Sequence, residues 1–394
     1  MLPLLPATIL TTAADEDSLP DSQPAPSALT VRQAFHIPSL DGIRAVSFLI
    51  VFLSHAGYGS IIPGGFGVTV FFFLSGFLIT TLLRMELFST GTISFRDFYL
   101  RRALRILPPF YTVLAFATLL VLTGVLKGTL RPGPMLALVC HYSNYWNVLH
   151  GFSGQPLGTA VYWSLAVEEH FYLLFPALFL VLQRSFAGRR RTQSAALLAG
   201  CAAVLAWRLV LVLGFHAATN RTYLASDTRV DSILFGCSLA LGANPMLDEP
   251  GPSSGILRRV LLPLSLAMIA LTFLYRADWF RETLRYTLQG VALTTVFVVA
   301  MRDPEWWPFR WLNRRLPRRI GVLSYSLYLV HDVVLYALEE HAPRLPQPVL
   351  GVLGLLIAIL LAELIHRAIE KPCARLRRHL GHVPSTAAPA AAAA

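Results

Sequence analysis

An arginine and a histidine, Arg44 and His55, stand eleven positions apart in the nearly unbroken apolar run LDGIRAVSFLIVFLSHAGYG, near whose start lies Asp41. Eleven helical residues make three turns plus about 20°, so both side chains share one face, about 16 Å apart along the axis. Two readings are open. One is a snorkelling arginine and a histidine satisfied by a neighbouring helix. The other is a polar track through a helix bundle, with an imidazole able to act as a base near neutral pH, worth about 10²–10⁴-fold in rate. Lipid disfavours both groups, which gives the second reading weight.

Further polar groups interrupt other apolar stretches. YWSLAVEEHFYLLFPALF carries Glu168, Glu169 and His170. One carboxylate at membrane depth is explained by a structural arginine partner; two adjacent ones point to function. FRDFYLRRALRILPPFY clusters Arg101, Arg102 and Arg105 ahead of Pro108 and Pro109, which mark the start or a kink of a span. Planar, permanently charged guanidinium groups suit phosphates. The same cluster also suits a loop held at an anionic lipid surface, the reading composition favours. SYSLYLVHDVV contributes Ser324, Tyr325, His331 and Asp332, and DTRVDSILFGC contributes Arg229 and Asp231, placed to pair with each other. Arg208 and Glu363 are lone intramembrane charges, expected in structural pairs. Ser75, in FFFLSGFLIT, lacks the context of a nucleophile elbow and is assigned, with Gly76, to close helix packing. Cys140, Cys201, Cys237 and Cys373 show neither disulfide nor metal-ligand spacing, and no metal is expected.

The elements that must position these residues follow from composition. Of 394 residues 55% are hydrophobic and only 14% charged, against about a quarter charged in soluble domains. Apolar windows of about 20 residues recur along the chain. The expected fold is all-α: a polytopic membrane protein with about ten transmembrane helices and both termini cytoplasmic. The net charge of +11 reads as membrane orientation, with no nucleic-acid partner, because the arginines cluster in four short segments. These follow the windows near 66–84, 162–182 and 286–301 and the last span. All four belong on the cytoplasmic side. That parity holds only if the apolar window at 134–149, which ends in HYSNYWN, does not cross. Residues 1–39 read as a disordered tail, 40–380 as the membrane domain and 381–394 as a low-complexity tail.

Seven motifs in order, LDGIRAVSFLIVFLSHAG, GVTVFFFLSGFLIT, FYLRRALRILPPFY, WSLAVEEHFYLLFP, RVDSILFGCSLAL, SYSLYLVH and IEKP, resemble the acyltransferase-3 family of bacterial integral-membrane O-acyltransferases. The resemblance covers about Leu40 to Leu376. It implies transfer of an acetyl or other short acyl group from cytoplasmic acyl-CoA, acetyl-CoA foremost, to a sugar hydroxyl of a lipopolysaccharide, surface polysaccharide or related glycoside. It also implies an inner (plasma) membrane location and no bound cofactor. His55 matches the family's catalytic histidine and Arg44 its partner in the Arg-x10-His pair. Arg102 and Arg105 match its Arg-x-x-Arg motif for the CoA donor, with Arg101 beside them. Glu168 matches the acid of Trp-Ser-Leu-x-x-Glu. Asp41, Glu169, Ser324, Tyr325 and His331 lie in further family motifs, as acceptor or supporting groups.

The expected mechanism places the donor phosphates on the arginines and the thioester along the track towards His55. Glu168 or Asp41 orients the imidazole, which acts as base or as acyl carrier. Two alternatives stay open: an acyltransferase acting on a small glycosylated metabolite such as a macrolide, and a transporter or flippase using the same buried charges. Some family members carry a fused esterase-like domain; a second step is expected to need another protein.

Overall fold

The computed structural model describes residues 38–379, apart from 250 and 252. The two tails read from the sequence lie outside the described residues, except for Pro38 and Ser39, which open the first helix. In lipid a backbone must satisfy its own polar groups, and helices do so within one segment. Every regular element among the described residues is helical.

The long helices are α1 (Pro38–Leu53), α2 (Gly64–Thr90) and α3 (Phe95–Leu122). Two short ones follow, α4 (Pro132–Val139) and α5 (Ser143–His150). Then come α6 (Trp163–Ser185), α7 (Arg190–Leu209), α8 (Ser226–Gly242), α9 (Leu262–Leu274), α10 (Leu284–Arg302), α11 (Arg315–His341) and α12 (Gln347–Ile365). Among the described residues nine helical stretches are long and apolar enough to cross a membrane. These are α1–α3, α6, α7 and α9–α12, several of them lengthened by a π or 3₁₀ turn at one end. The expected count was about ten. The difference is α8, which has 17 residues and carries Asp227, Arg229 and Asp231 in its first turns. The window at 134–149 forms α4 and α5, eight residues each, broken at His141, whose φ is +55°. Eight residues rise only about 12 Å, too little to span.

Local signals end the helices where the sequence changes. Gly91 takes a left-handed conformation (φ +73°) and its N–H caps Leu87 O. Ser94 then accepts from the Asp97 N–H to start α3. Pro108 and Pro109, read as a start or kink, lie within α3. The arginine cluster and the following span are therefore one continuous helix.

Charge pairs gather the basic segments at one end of the bundle. Asp248, just after α8, pairs with Arg84 near the end of α2 at 2.7 Å and also with Arg190 at the start of α7. The chain leaving α2 thus returns to the same end after α3 and α6, with α4–α5 not crossing. It returns again after α7 and α8. Burial at Asp248 raises the pKa of its carboxyl, but the hydrogen bonds from Arg84 and the Asn244 N–H and the Arg84 and Arg190 charges outweigh it and hold the group below the usual carboxylate range.

Small residues set the closest approaches. A Cβ on Gly236 of α8 would run into the Phe73 carbonyl oxygen of α2, and one on Gly76 of α2 into the Ile233 carbonyl oxygen. A Cβ on Gly321 of α11 would meet the Asp41 carbonyl oxygen of α1. Backbones that close carry α1 and α11 side by side and in the same direction. His331, ten residues after Gly321, therefore arrives beside His55.

Candidate active site

His55 sits where α1 stops being regular. Ser54–Tyr58 winds as a π turn, with Gly57 at φ +94°. π turns inside α-helices recur at functional sites. Gln347 of α12 donates to the freed Ala56 carbonyl at 3.1 Å, which holds the altered turn in place.

The His55 Nδ1 atom lies 2.9 Å from Nε2 of His331, and the rings stack with centroids 5.2 Å apart and planes 13° from parallel. His331 Nδ1 lies 2.8 Å from the Tyr328 carbonyl oxygen. Those contacts set the tautomers. A carbonyl oxygen only accepts, so His331 Nδ1 carries the proton. Nε2 of the neutral His331 is then an acceptor, and His55 Nδ1–H donates to it. The lone pair of neutral His55 is left on Nε2, the form a base needs. Asp332 Oδ1 is 3.8 Å from the same His55 Nδ1, so a carboxylate stands ready for the imidazolium formed when His55 takes a proton.

His331 is fully buried and its ring is wedged edge-on to Phe48 at 5.8 Å and against Tyr328 at 5.5 Å. The Tyr328 hydroxyl donates to Val161 O at 3.0 Å and meets Ser164 Oγ at 2.7 Å, while Tyr162 OH donates to Leu329 O at 2.8 Å. These bonds lock α11 to the start of α6. His55 is less enclosed and, with Ser54, Tyr328 and Asp332, lines a cavity of about 460 Å³. Ligand atoms of His55, His331 and Asp332 lie within 4.8 Å of one another, as a metal site would require. The hydrogen bond accounts for the shortest of these contacts.

A second polar group lies between α2, α3 and α6. The Glu168 carboxylate accepts from Ser75 Oγ at 2.7 Å and Tyr172 OH at 3.1 Å, and the Tyr172 hydroxyl is also 3.1 Å from Ser75 Oγ. The Arg102 guanidinium lies over the rings of Tyr172 (6.0 Å) and Phe98 (5.9 Å), with Nε buried and without a hydrogen-bond partner. Arg101 instead pairs with Glu86 at 2.6 Å, and Arg44 with Asp41 at 2.8 Å. Arg105 is exposed at the basic end, and Glu169 is half-buried beside Glu168. Ser324 is buried on α11, and Tyr325 OH donates to Ile106 O at 2.8 Å, fastening α11 next to the arginine cluster.

Three expectations change. Neither Asp41 nor Glu168 touches His55; the groups that orient it are His331 and Asp332. Asp41 is already the partner of Arg44 on the same helix, and Glu168 is bound to α2. Ser75 is a hydrogen-bond donor in the polar group, while Gly76 alone does the close packing. Arg229 and Asp231 do not pair, because residues two apart on a helix face away from each other. Asp231 instead binds the fully buried Arg208 at 2.7 Å. Arg229 donates to Thr69 Oγ1 at 3.1 Å and lies 4.1 Å from the Tyr286 ring centroid. Arg208 and Glu363 each sit in a structural ion pair, as expected, Arg208 with Asp231 and Glu363 with Arg319 and Arg367.

Residues 37–367 match the family described as Acyltransferase domain, Acyl_transf_3. A Bacillus subtilis (strain 168) protein named "Putative peptidoglycan O-acetyltransferase YrhL" is 32% identical over 361 residues, 86% of this chain and 55% of its own length. The Staphylococcus aureus (strain NCTC 8325 / PS 47) protein named "O-acetyltransferase OatA" is 28% identical over 355 residues, 86% of this chain and 57% of its own. The chain thus spans little more than half the length of these curated relatives. No solved structure matches. A family match across residues 37–367, the stretch that holds the hydrogen-bonded His55–His331 pair, places the chain in the acyltransferase-3 family.

Proposed function

We propose that this chain is a membrane O-acyltransferase that moves a short acyl group, acetyl foremost, from acyl-CoA to a sugar hydroxyl of a surface glycan or related glycoside. The observation that carries the reading is the His55–His331 hydrogen bond, which leaves His55 Nε2 as the free base of a residue lining a 460 Å³ cavity. His55 takes the proton of the acceptor hydroxyl, and the oxygen attacks the thioester carbonyl. The tetrahedral intermediate collapses with cleavage of the C–S bond. The CoA thiolate leaves and recovers the proton from the imidazolium, which Asp332 stabilises meanwhile.

The donor enters from the basic end. Nearby carboxylates are already occupied, Glu86 by Arg101 and Asp41 by Arg44, so Arg102 and Arg105 are left for phosphates. The CoA arm then bridges towards His55. α8 serves as the tenth crossing, since it carries the chain from the far end back to Asp248 beside Arg190. The basic end faces the cytoplasm of the inner (plasma) membrane, with both termini on that side.

The test is acetyl-CoA consumption by membranes containing the wild-type chain or His55→Ala, read as thiol release and as O-acetyl esters on extracted glycans. Loss of both signals in a variant that still inserts is expected. Full activity of that variant ends the proposal.

A further inference from the structure

We infer that the cavity over His55 takes acceptors without negative charge, neutral or amino sugars, and turns away uronates and phosphorylated sugars. This rests on the reading of His55 as the acylating base. The walls of the cavity include the rings of Trp163, Tyr223, Tyr328 and Tyr336, flat amphipathic surfaces of the kind on which the C–H face of a sugar stacks. Among the described residues its only charged lining groups besides the His55 imidazole are the carboxylates of Asp332 and Glu339. Among the described residues no lysine or arginine lines it, although the chain has 33 basic residues against 22 acidic ones.

The mouth is built the same way. Glu339 is exposed, and the ion pairs among the described residues do not include it. Its neighbour Glu340 is the one that meets Lys127, at 3.7 Å. Glu339 and Asp332 are seven residues apart on α11 and so lie on one face, about 10 Å apart. Arg229 lies behind part of the aromatic wall, fully buried, with its guanidinium 5.7 Å from the Trp163 ring and 5.3 Å from the Tyr223 ring. It does not line the cavity. An anionic acceptor would meet the exposed Glu339 carboxylate, with Asp332 deeper in beside His55, and no lysine or arginine among the described lining residues to offset them. At about 6–8 Å and an effective dielectric of about 20–40, that disfavours it roughly tenfold or more.

Two measurements test this on the full-length protein in membranes. The first locates, by mass spectrometry, the O-acetyl esters that appear with the wild-type chain and vanish with His55→Ala. Esters on neutral or amino sugars are expected. Esters on a uronate or phosphosugar overturn the inference while leaving the acyltransferase reading intact, and no His55-dependent ester overturns that reading. The second measures the charge directly. In Tyr336→Cys, with Cys140 and Cys373 replaced by serine, a cationic methanethiosulfonate reagent is expected to react roughly tenfold faster than an anionic one, relative to a free thiol. Adding Glu339→Gln should lower that ratio several-fold. A ratio at or below that of the free thiol, or one unmoved by Glu339→Gln, refutes the charge assignment even if no acceptor is recovered.

Discussion

Replacing His331 by phenylalanine keeps a ring of similar size but removes the acceptor 2.9 Å from His55 Nδ1 and the donor 2.8 Å from Tyr328 O. The lost hydrogen bond is worth about 1 kcal/mol, or about fivefold in rate. Loss of tautomer control adds to it. In the serine-protease template, an orienting group that enforces the wrong tautomer costs about 10⁴-fold. His331→Phe enforces no tautomer, so the expected loss lies between these limits, about 10–100-fold in kcat. The KM for acyl-CoA should not move, because the arginines proposed to hold the donor are untouched. His331→Gln places an amide oxygen near the position of Nε2 and should recover part of the lost rate. The assay is initial thiol release from acetyl-CoA by purified protein in nanodiscs, with thermal unfolding as the control for folding. Wild-type kcat in a folded His331→Phe protein, or a Gln variant no better than Phe, refutes the orienting role.

Asp332→Asn removes a charge 3.8 Å from His55, an interaction of about 4 kcal/mol at an effective dielectric of about 20. The His55 side chain is 35% exposed, so screening leaves about 1–2 kcal/mol, and kcat should fall about tenfold with donor KM unchanged in the same assay. Arg102→Ala should raise the donor KM about tenfold, the worth of one charge-assisted hydrogen bond to phosphate, and spare kcat; an unchanged donor dependence returns that arginine to a purely topological role. Asp248 holds a depressed pKa through Arg84 and Arg190, so its stabilising effect is complete above the ordinary carboxylate pKa of about 4 and is lost as pH falls through the lower folded value. In detergent, Asp248→Asn should therefore lower the melting temperature at pH 7 and lose that deficit on acidification below about pH 4; a deficit independent of pH contradicts the pairing.

The membrane-helical character was legible because lipid imposes it through composition and length. The failure of 134–149 to cross was legible too, since four basic segments had to share one side. The ten expected spans include α8, although its 17 residues are fewer than those of any of the nine longer stretches and it carries three charges; burial against α2 and α7 holds its Arg229 and Asp231 inside the bundle. Residue types at the site were readable, partners were not. Asp41 and Glu168 were reasonable choices to orient His55 by charge alone. The partners are set by which helices touch, and the Gly321–Asp41 approach that brings α11 beside α1 leaves little trace in a single sequence. A histidine and an aspartate adjacent on α11, at the far end of the span from its arginines, were the available signal. Ser75 was missed for a related reason, since a serine beside a glycine in an apolar helix fits packing until a carboxylate is found 2.7 Å away.

The arrangement divides the task between two rigid attachments. Tyr325 fastens α11 to α3 one residue beyond Arg105, and the Gly321 seam fastens α11 to α1. α11 thus touches the basic helix near one end and carries His331 and Asp332 towards the other. About 16 Å of α1 separates Arg44 from His55. In the proposed reaction, a charged donor held by guanidinium groups can therefore remain at the basic end while its uncharged arm reaches the imidazole. Only the acyl group has to arrive at the cavity, and a cavity walled by carboxylates and aromatic rings offers the phosphates no reason to follow.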